Sequence, residues 1–382
     1  MNEPVTGPRY TMYGASFSHY SAKLRSYLRC KDIEFEEITP SLRTYRRFIQ
    51  PRTGVRYIPV LHTPEDEVLQ DTAVIIRALE PRFPTPPAVP AGVRRGLAAE
   101  LLELFGDEWL LLPAMHYRWN FPEANRPWLN RQFGGLAFPR LPGFAQAWLG
   151  ARIGQRFHDA LPHLGLTERT APALETWFDA LLDDLDAHLA EHPFLLGGAP
   201  TVADYGCVAA FAGHLFGDPH PKALFAERIP NVHAWVTRLQ APVEGATAGD
   251  EDDLPATLMP LLNRVGTQMM PVLHDAGRQL DEWARRQPPG APVPRSIGTH
   301  KVRIAGQPAE RSVQAYPLWR LQNIRDRWLQ LEGERRASAD RLLEGIGAIE
   351  CFTGAWRARL VRHANRLYLA DREQAPRMKG IG

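Results

Sequence analysis

The chain has 382 residues, more than a single hydrophobic core usually serves, so two or three domains are expected. Hydrophobic residues make up 44% and charged residues 23%, an ordinary globular composition. The 45 Lys and Arg against 43 Asp and Glu leave a formal charge of +2, which gives no global push toward nucleic acid or an anionic membrane. Cys30, Cys207 and Cys351 are far apart and odd in number, which excludes a disulfide framework or zinc site in favour of reduced, packed thiols.

Met1 to Tyr10 contains Glu3 and Pro4 and no apolar run, so no signal peptide is expected. Tyr10 to Gly14 reads as a strand ending in a glycine turn. Ser18 to Lys31 reads as a helix with Tyr20, Leu24, Tyr27 and Leu28 on one face. Ile33 to Ile38 reads as a second strand and Ser41 to Ile49 as a basic helical stretch. Tyr57 to His62 and Glu67 to Leu69 make a hairpin around Pro64, Glu65 and Asp66, and Asp71 to Leu79 is a third helix. The order is β-α-β-α-β-β-α.

Pro81 to Pro90 reads as a linker, and from about Val93 to Leu239 the pattern is mostly helical. Trp177, Leu181, Leu182, Leu185 and Leu189 form one long apolar stripe. Trp109 to Met115, among the longest apolar stretches, is too short to span a bilayer and is broken by Pro113. Thr201-Val202-Ala203-Asp204 has the spacing of a capping box, with an apolar helix from Tyr205 to Phe216 behind it. Ala241 to Pro255 reads as a second linker. Beyond it the pattern predicts helix over Met259 to Arg286, a hairpin around Gly306 within Lys301 to Ala315, an amphipathic helix over Pro317 to Leu331, and one more helix over Cys351 to Ala370.

Four motifs follow one another along these elements. They are Ser18-His19-Tyr20-Ser21 opening the first helix, Tyr57-Ile58-Pro59-Val60-Leu61 before the third strand, Leu69-Gln70-Asp71-Thr72-Ala73-Val74-Ile75 entering the third helix, and Pro193-Phe194-Leu195-Leu196-Gly197-Gly198 followed by Pro200-Thr201-Val202-Ala203-Asp204. Together, over roughly residues 9 to 240, they resemble the cytosolic glutathione transferases of the serine-type active site. The resemblance implies a thioredoxin-like α/β domain over 8–84, an all-α domain over 92–240, and a mostly helical C-terminal extension over 256–375 with a hairpin. Three departures stand out: Asp71-Thr72 in place of Glu-Ser, His19 in place of the common proline, and a long, aromatic stretch from His116 to Trp148.

The chemistry implied is activation of glutathione as co-substrate. The thiolate is the reactive form, and a hydroxyl donor beside the unpaired N–H groups of a helix start stabilises it. Ser18 is placed for that role, with Ser16 and Tyr13 as rivals; a plain helix cap is the alternative reading of Ser18. The resemblance implies a cis Ile58–Pro59 bond, with the Ile58 backbone pairing with the glutathione cysteinyl residue. It also gives Asp71 the γ-glutamyl ammonium, and the Thr72 hydroxyl and amide the carboxylate. Arg43, Arg46, Arg47, Arg52 and Arg56 lie on the side expected for the glycine carboxylate, and none is assigned. Trp109, His116, Tyr117, Trp119 and Trp128 are candidates for the pocket of an apolar electrophilic second substrate, with core packing as the rival account.

The function expected is a detoxifying glutathione transferase, cytoplasmic and homodimeric by family analogy, with neither metal, nucleic acid nor membrane as partner. The competing reading is a non-catalytic ligand-binding or protein-interaction module on the same fold. A thiol–disulfide oxidoreductase is disfavoured because both redox-cysteine positions are serine, Ser18 and Ser21. His188-Leu189-Ala190-Glu191-His192 matches a metalloprotease pattern but ends at Pro193 without a third ligand, so no metal role is assigned. Arg357, Arg359, Arg362 and Arg366 alternate with Trp356, Leu360, Val361 and Leu367, and are read as the solvated face of the last helix.

Overall fold

The computed structural model describes residues 9–225, 227–243, 245, 252–354 and 356–370. The expectations for the leader, for the middle of the second linker and for the last residues of the extension lie outside these. The chain forms two compact units, one of residues up to 161 together with 175–258, the other of 162–174 together with the residues from 259 on.

The first unit opens with β1 (Tyr10–Tyr13), α1 (His19–Cys30) and β2 (Phe35–Ile38). The basic helical stretch consists of α2 (Leu42–Thr44), a π-turn over Tyr45–Ile49, and α3 (Gln50–Thr53), which ends at Gly54 in the left-handed region with φ 74°. Then come β3 (Val60–His62), β4 (Val68–Gln70) and α4 (Thr72–Leu79). The four strands form one sheet in the order β2-β1-β3-β4. β1 and β2 are parallel; β1 with β3, and β3 with β4, are antiparallel. This mixed sheet is the α/β domain the element order predicts.

After it come α5 (Val93–Glu108), α6 (Leu111–Trp119), α7 (Pro122–Ala137), α8 (Gly143–His158), α9 (Ala171–Glu191), α10 (Val202–Ala210) with a π-turn over Phe211–Leu215, α11 (Pro219–Phe225) and α12 (Pro230–Arg238). α1 is buried along nearly its whole length, because α10 with its π-turn and α4 pack against it and its Lys23 reaches α5. Leu24, Tyr27 and Leu28 are fully buried there, each contributing about 1.5–3 kcal/mol of hydrophobic stabilisation. α5 and α10 touch backbone to backbone, since a Cβ on Gly106 would stand 2.3 Å from the Gly206 carbonyl carbon. The capping box at α10 is formed: Asp204 accepts from the Thr201 amide at 2.9 Å and also from the Leu195 amide and the Trp235 indole.

α7 and α8 form a hairpin whose close approach glycine permits. A Cβ on Gly134 would stand 1.9 Å from the Gln146 carbonyl oxygen, and one on Gly150 1.9 Å from that of Asn130. This accounts for the long aromatic stretch after His116.

The second unit has α13 (Met259–Arg264), a π-turn, α14 (Met270–Ala284), a hairpin of β5 (Ser296–Ile304) and β6 (Gln307–Gln314), α15 (Ala315–Leu329), α16 (Gly333–Gly345), α17 (Ile349–Thr353), and a second hairpin of β7 (Leu360–His363) and β8 (Arg366–Leu369). The helical start, the first hairpin and the amphipathic helix lie where the sequence places them. The single helix expected over Cys351 to Ala370 does not form. After α17 the chain turns at Ala364 and Asn365, both with positive φ, and pairs β7 with β8. Residues 291–293 add to β8 through the Val293 amide to the Leu367 carbonyl and the Leu369 amide to the Ala291 carbonyl. The arginines of that segment therefore do not share a helix face: Arg359 pairs with Asp326, and the Arg357 amide donates to Asp281.

Candidate active site

The strand register gathers the candidate residues at one end of the sheet. Tyr13 stands opposite Val60, and Val60 opposite Gln70. The residues that follow β1, those that precede β3 and those that follow β4 therefore leave the sheet on the same side. Ser16 and Ser18, Ile58 and Pro59, and Asp71 and Thr72 occupy those three connections. β2, parallel to β1, ends on that side too and leads to the arginine-bearing α2–α3 stretch.

Ser18 is the N-cap of α1; its Oγ accepts from the Ser21 amide at 3.3 Å. A hydroxyl has one proton to donate besides its accepting lone pairs, so capping and donation to a sulfur are compatible. Ser16 lies exposed in the preceding turn. Tyr13 packs against Phe48, with ring centroids 5.0 Å apart, and burial and the Glu36 carboxylate push its phenol pKa up, keeping it neutral.

The Ile58–Pro59 peptide is cis, as the motif implies. Asp71 has φ 86° and caps α4 by accepting from the Val74 amide at 3.2 Å. A non-glycine residue at positive φ is uncommon and is found where its surroundings fix it, often at functional sites. Thr72, at the first position of α4, is buried. Arg43, Arg46, Arg47, Arg52 and Arg56 are exposed; Arg52 pairs with Asp66 and Arg56 donates to Gln50.

Next to Ser18 lies a group of buried side chains of which the sequence singled out only His19. Arg118 forms a bidentate pair with Asp218 at 2.6 and 2.7 Å, and donates to the carbonyls of Phe17 and Gly213. It thereby fixes the peptide plane that leads into Ser18. Gly213 lets this part of the helical domain close on α1, since a Cβ there would stand 2.8 Å from His19 Cα. His19 faces the Gly106 carbonyl through Nε2 at 3.2 Å. Burial, and then the Lys23 and Arg118 charges, press its pKa down to about 3, so it is neutral. The visible signal for this group was an arginine inside the apolar run that ends at Trp119.

The second-substrate candidates do not gather as one wall. Tyr117 stacks on Phe121 and packs edge-on against Phe225 in the bundle interior. His116 pairs with Glu175 at 2.8 Å and Asn120 at 2.7 Å. Trp109 is buried at the end of α5. Trp119 instead lies parallel to Phe133 and Phe157, and Phe133 and Trp128 meet the ring of Phe17, the residue before Ser18. Trp119 and Trp128 are thus the members associated with the start of α1. The three cysteines are free and buried, and burial raises the Cys30 and Cys351 thiols to about 12. Both ring nitrogens of His188 are engaged, by Thr257 and the Leu195 carbonyl.

Residues 12–87 match the family described as glutathione S-transferase, N-terminal domain, and residues 155–238 match glutathione S-transferase, C-terminal domain. The sequence matches none of the curated proteins with which it was compared. Among solved structures, it is similar to a glutathione S-transferase of Methylobacterium radiotolerans in complex with glutathione sulfonate, at 18% identity and TM-score 0.37 over 64% of this chain and 99% of that one. A glutathione transferase of Phanerochaete chrysosporium is 16% identical, with TM-score 0.42 over 60% of this chain and 96% of that one. A β-etherase of Sphingobium is 18% identical, with TM-score 0.39 over 61% and 95%. The two matches fall in order, the first on the mixed sheet and its helices and the second on α9 to α12, so residues 12–87 and 155–238 are the N- and C-terminal domains of the glutathione S-transferase family.

Proposed function

We propose that the chain is a glutathione-dependent transferase that holds the co-substrate as a thiolate and joins it to an apolar electrophile. The observation that carries this reading is the convergence of Ser18, the Ile58 backbone, Asp71 and Thr72 at one end of the sheet. In this reading Asp71 takes the γ-glutamyl ammonium, and the Thr72 hydroxyl and amide take the carboxylate beside it. The Ile58 N–H and C=O pair with the cysteinyl backbone in the manner of an added strand. The sulfur then comes to the start of α1. There the Ser18 proton and the positive end of the helix dipole favour the anion. Lowering a thiol pKa from about 8.5 by ~2 units takes about 2.7 kcal/mol of differential stabilisation. The thiolate attacks the electrophilic carbon, a C–S bond forms, and the leaving group departs with its electron pair. The rings of Phe17, Trp128 and Phe133 provide the apolar side of that encounter.

Ser18→Ala is expected to lower kcat/KM about a hundredfold, the equivalent of ~2.7 kcal/mol, with glutathione affinity little changed. The ultraviolet absorbance of bound thiolate should fade in parallel. Ser16→Ala and Tyr13→Phe should leave both intact. Full activity in Ser18→Ala would remove Ser18 as the activator.

A further inference from the structure

We propose that the outer face of α8 is a docking surface for an anionic phospholipid bilayer, on which the chain sits peripherally. This inference does not depend on the transferase reading. It begins from a local charge anomaly. Residues 1–258 carry 24 Lys and Arg against 31 Asp and Glu, yet residues 124–158 hold five arginines (Arg126, Arg131, Arg140, Arg152 and Arg156) and no acidic residue. All five are exposed, and among the described residues none is in a salt bridge. The near-neutral balance of the whole chain hides this stretch.

The second observation is an aromatic strip on the same helix. Phe144, Trp148, Arg152 and Arg156 recur at every fourth position and so lie along one line of α8. Phe144 is 81% exposed and Trp148 58%, and Leu141, just before the helix, is 40% exposed. The opposite side of α8 is the packed one: Gly150 lies against the Asn130 carbonyl, and Gly154 against the Trp119 ring. The strip therefore has no partner within its own hairpin. Arg152 stacks on Trp148 with its guanidinium 3.9 Å from the ring centroid, which keeps the cation at the aromatic edge of the strip.

A helix with exposed aromatic residues and arginines, and no acidic residue, is the composition of an interfacial helix. The apolar side chains enter the headgroup boundary while the guanidinium groups meet lipid phosphates. A second copy of the chain fits less well. A twofold pairing of this face on itself would set the arginines of one copy against those of the other. A fluid bilayer accepts a projecting Phe144 without a matching pocket. Among the described residues no helix is long and apolar enough to cross a membrane, so the contact proposed is one of surface seating.

The test is flotation of the full chain at low salt with phosphatidylcholine vesicles, with and without phosphatidylglycerol. Binding is expected only with phosphatidylglycerol, and should weaken as salt is raised. Each of Arg152→Gln and Arg156→Gln should weaken partition about fivefold. Phe144→Ser with Trp148→Ser should weaken it about tenfold or more, with the thermal midpoint unchanged because both side chains are exposed. Arg335→Gln, exposed in the second unit, should have no effect. Absence of binding, equal binding to pure phosphatidylcholine, or a serine double variant that alters only self-association in sedimentation would each overturn the proposal.

Discussion

Replacing Lys23 with methionine will cost about 3–5 kcal/mol of folding stability. Lys23 lies in the middle of α1, and its side chain has no exposure. Nζ reaches Glu103 at 2.8 Å and Asp107 at 2.6 Å, both on α5 and both buried. Arg77 adds a longer contact to Glu103 at 3.6 Å and one to Glu100 at 3.1 Å. A buried ion pair is weak evidence of net stabilisation, because desolvation of both partners opposes their attraction. Removal of one partner alone is severe, since the remaining charge stays buried. Here a single ammonium serves two carboxylates, and it joins the α/β domain to the helical one at the helix that carries Ser18. Urea unfolding at neutral pH measures the effect. A triple variant with Lys23→Met, Glu103→Leu and Asp107→Leu should recover most of the loss, because the charges then leave together. A Lys23→Met protein as stable as the parent would show that this cluster does not fasten the two domains.

Acidification will weaken the fold well before its carboxylates are protonated in bulk. His19 and His214 are fully enclosed and neutral. Burial and the nearby Arg118 charge hold His214 well below the ordinary range, and the pKa of His19 is about 3. His188, lowered to about 4 by burial and the neighbouring His192, acts in the same sense. The sign follows from proton uptake. Below about pH 6.5 an unfolded histidine binds a proton, and the folded one does not. The unfolded state therefore gains stability as pH falls from about 6.5 toward the folded pKa. For His19 alone the loss runs at about 1.4 kcal/mol per pH unit, or about 2 kcal/mol by pH 5. Urea midpoints at pH 7 and pH 5 should show it, and His19→Gln should flatten the dependence. Equal midpoints at the two pH values would contradict the neutral burial of these rings.

Much of the α/β domain was legible because its signals are local. The strand and helix order follows from apolar spacing and turn residues. Thr201 with Asp204 marks the start of α10, while the cis Ile58–Pro59 bond was implied by the family resemblance of its motif rather than by the dipeptide itself. The first hairpin of the second unit is equally plain, since Ala305 and Gly306 both adopt positive φ between two long strands. The segment after Cys351 misled because its arginines and apolar residues fit a helical wheel as well as an alternating strand. Asn365, a residue that tolerates positive φ, was the turn signal that should have decided it. Gly134, Gly150 and Gly154 meant little until α7 and α8 lay against each other. The buried group formed by His19, Arg118, Gly213 and Asp218 is assembled from three parts of the chain, each about a hundred positions from the next, so no local pattern joins them. Sequence named Ser18, Pro59, Asp71 and Thr72 as candidates, but not the side chains that hold them.

The central claim is that the sheet end bearing these residues binds glutathione. Calorimetric titration of the full chain with reduced glutathione tests it most directly. The account predicts saturable heat at millimolar or lower concentration, a raised thermal midpoint, and loss of both when Asp71→Ala is combined with Thr72→Val. No heat and no midpoint shift in the parent protein, or binding that the double variant leaves intact, would contradict it.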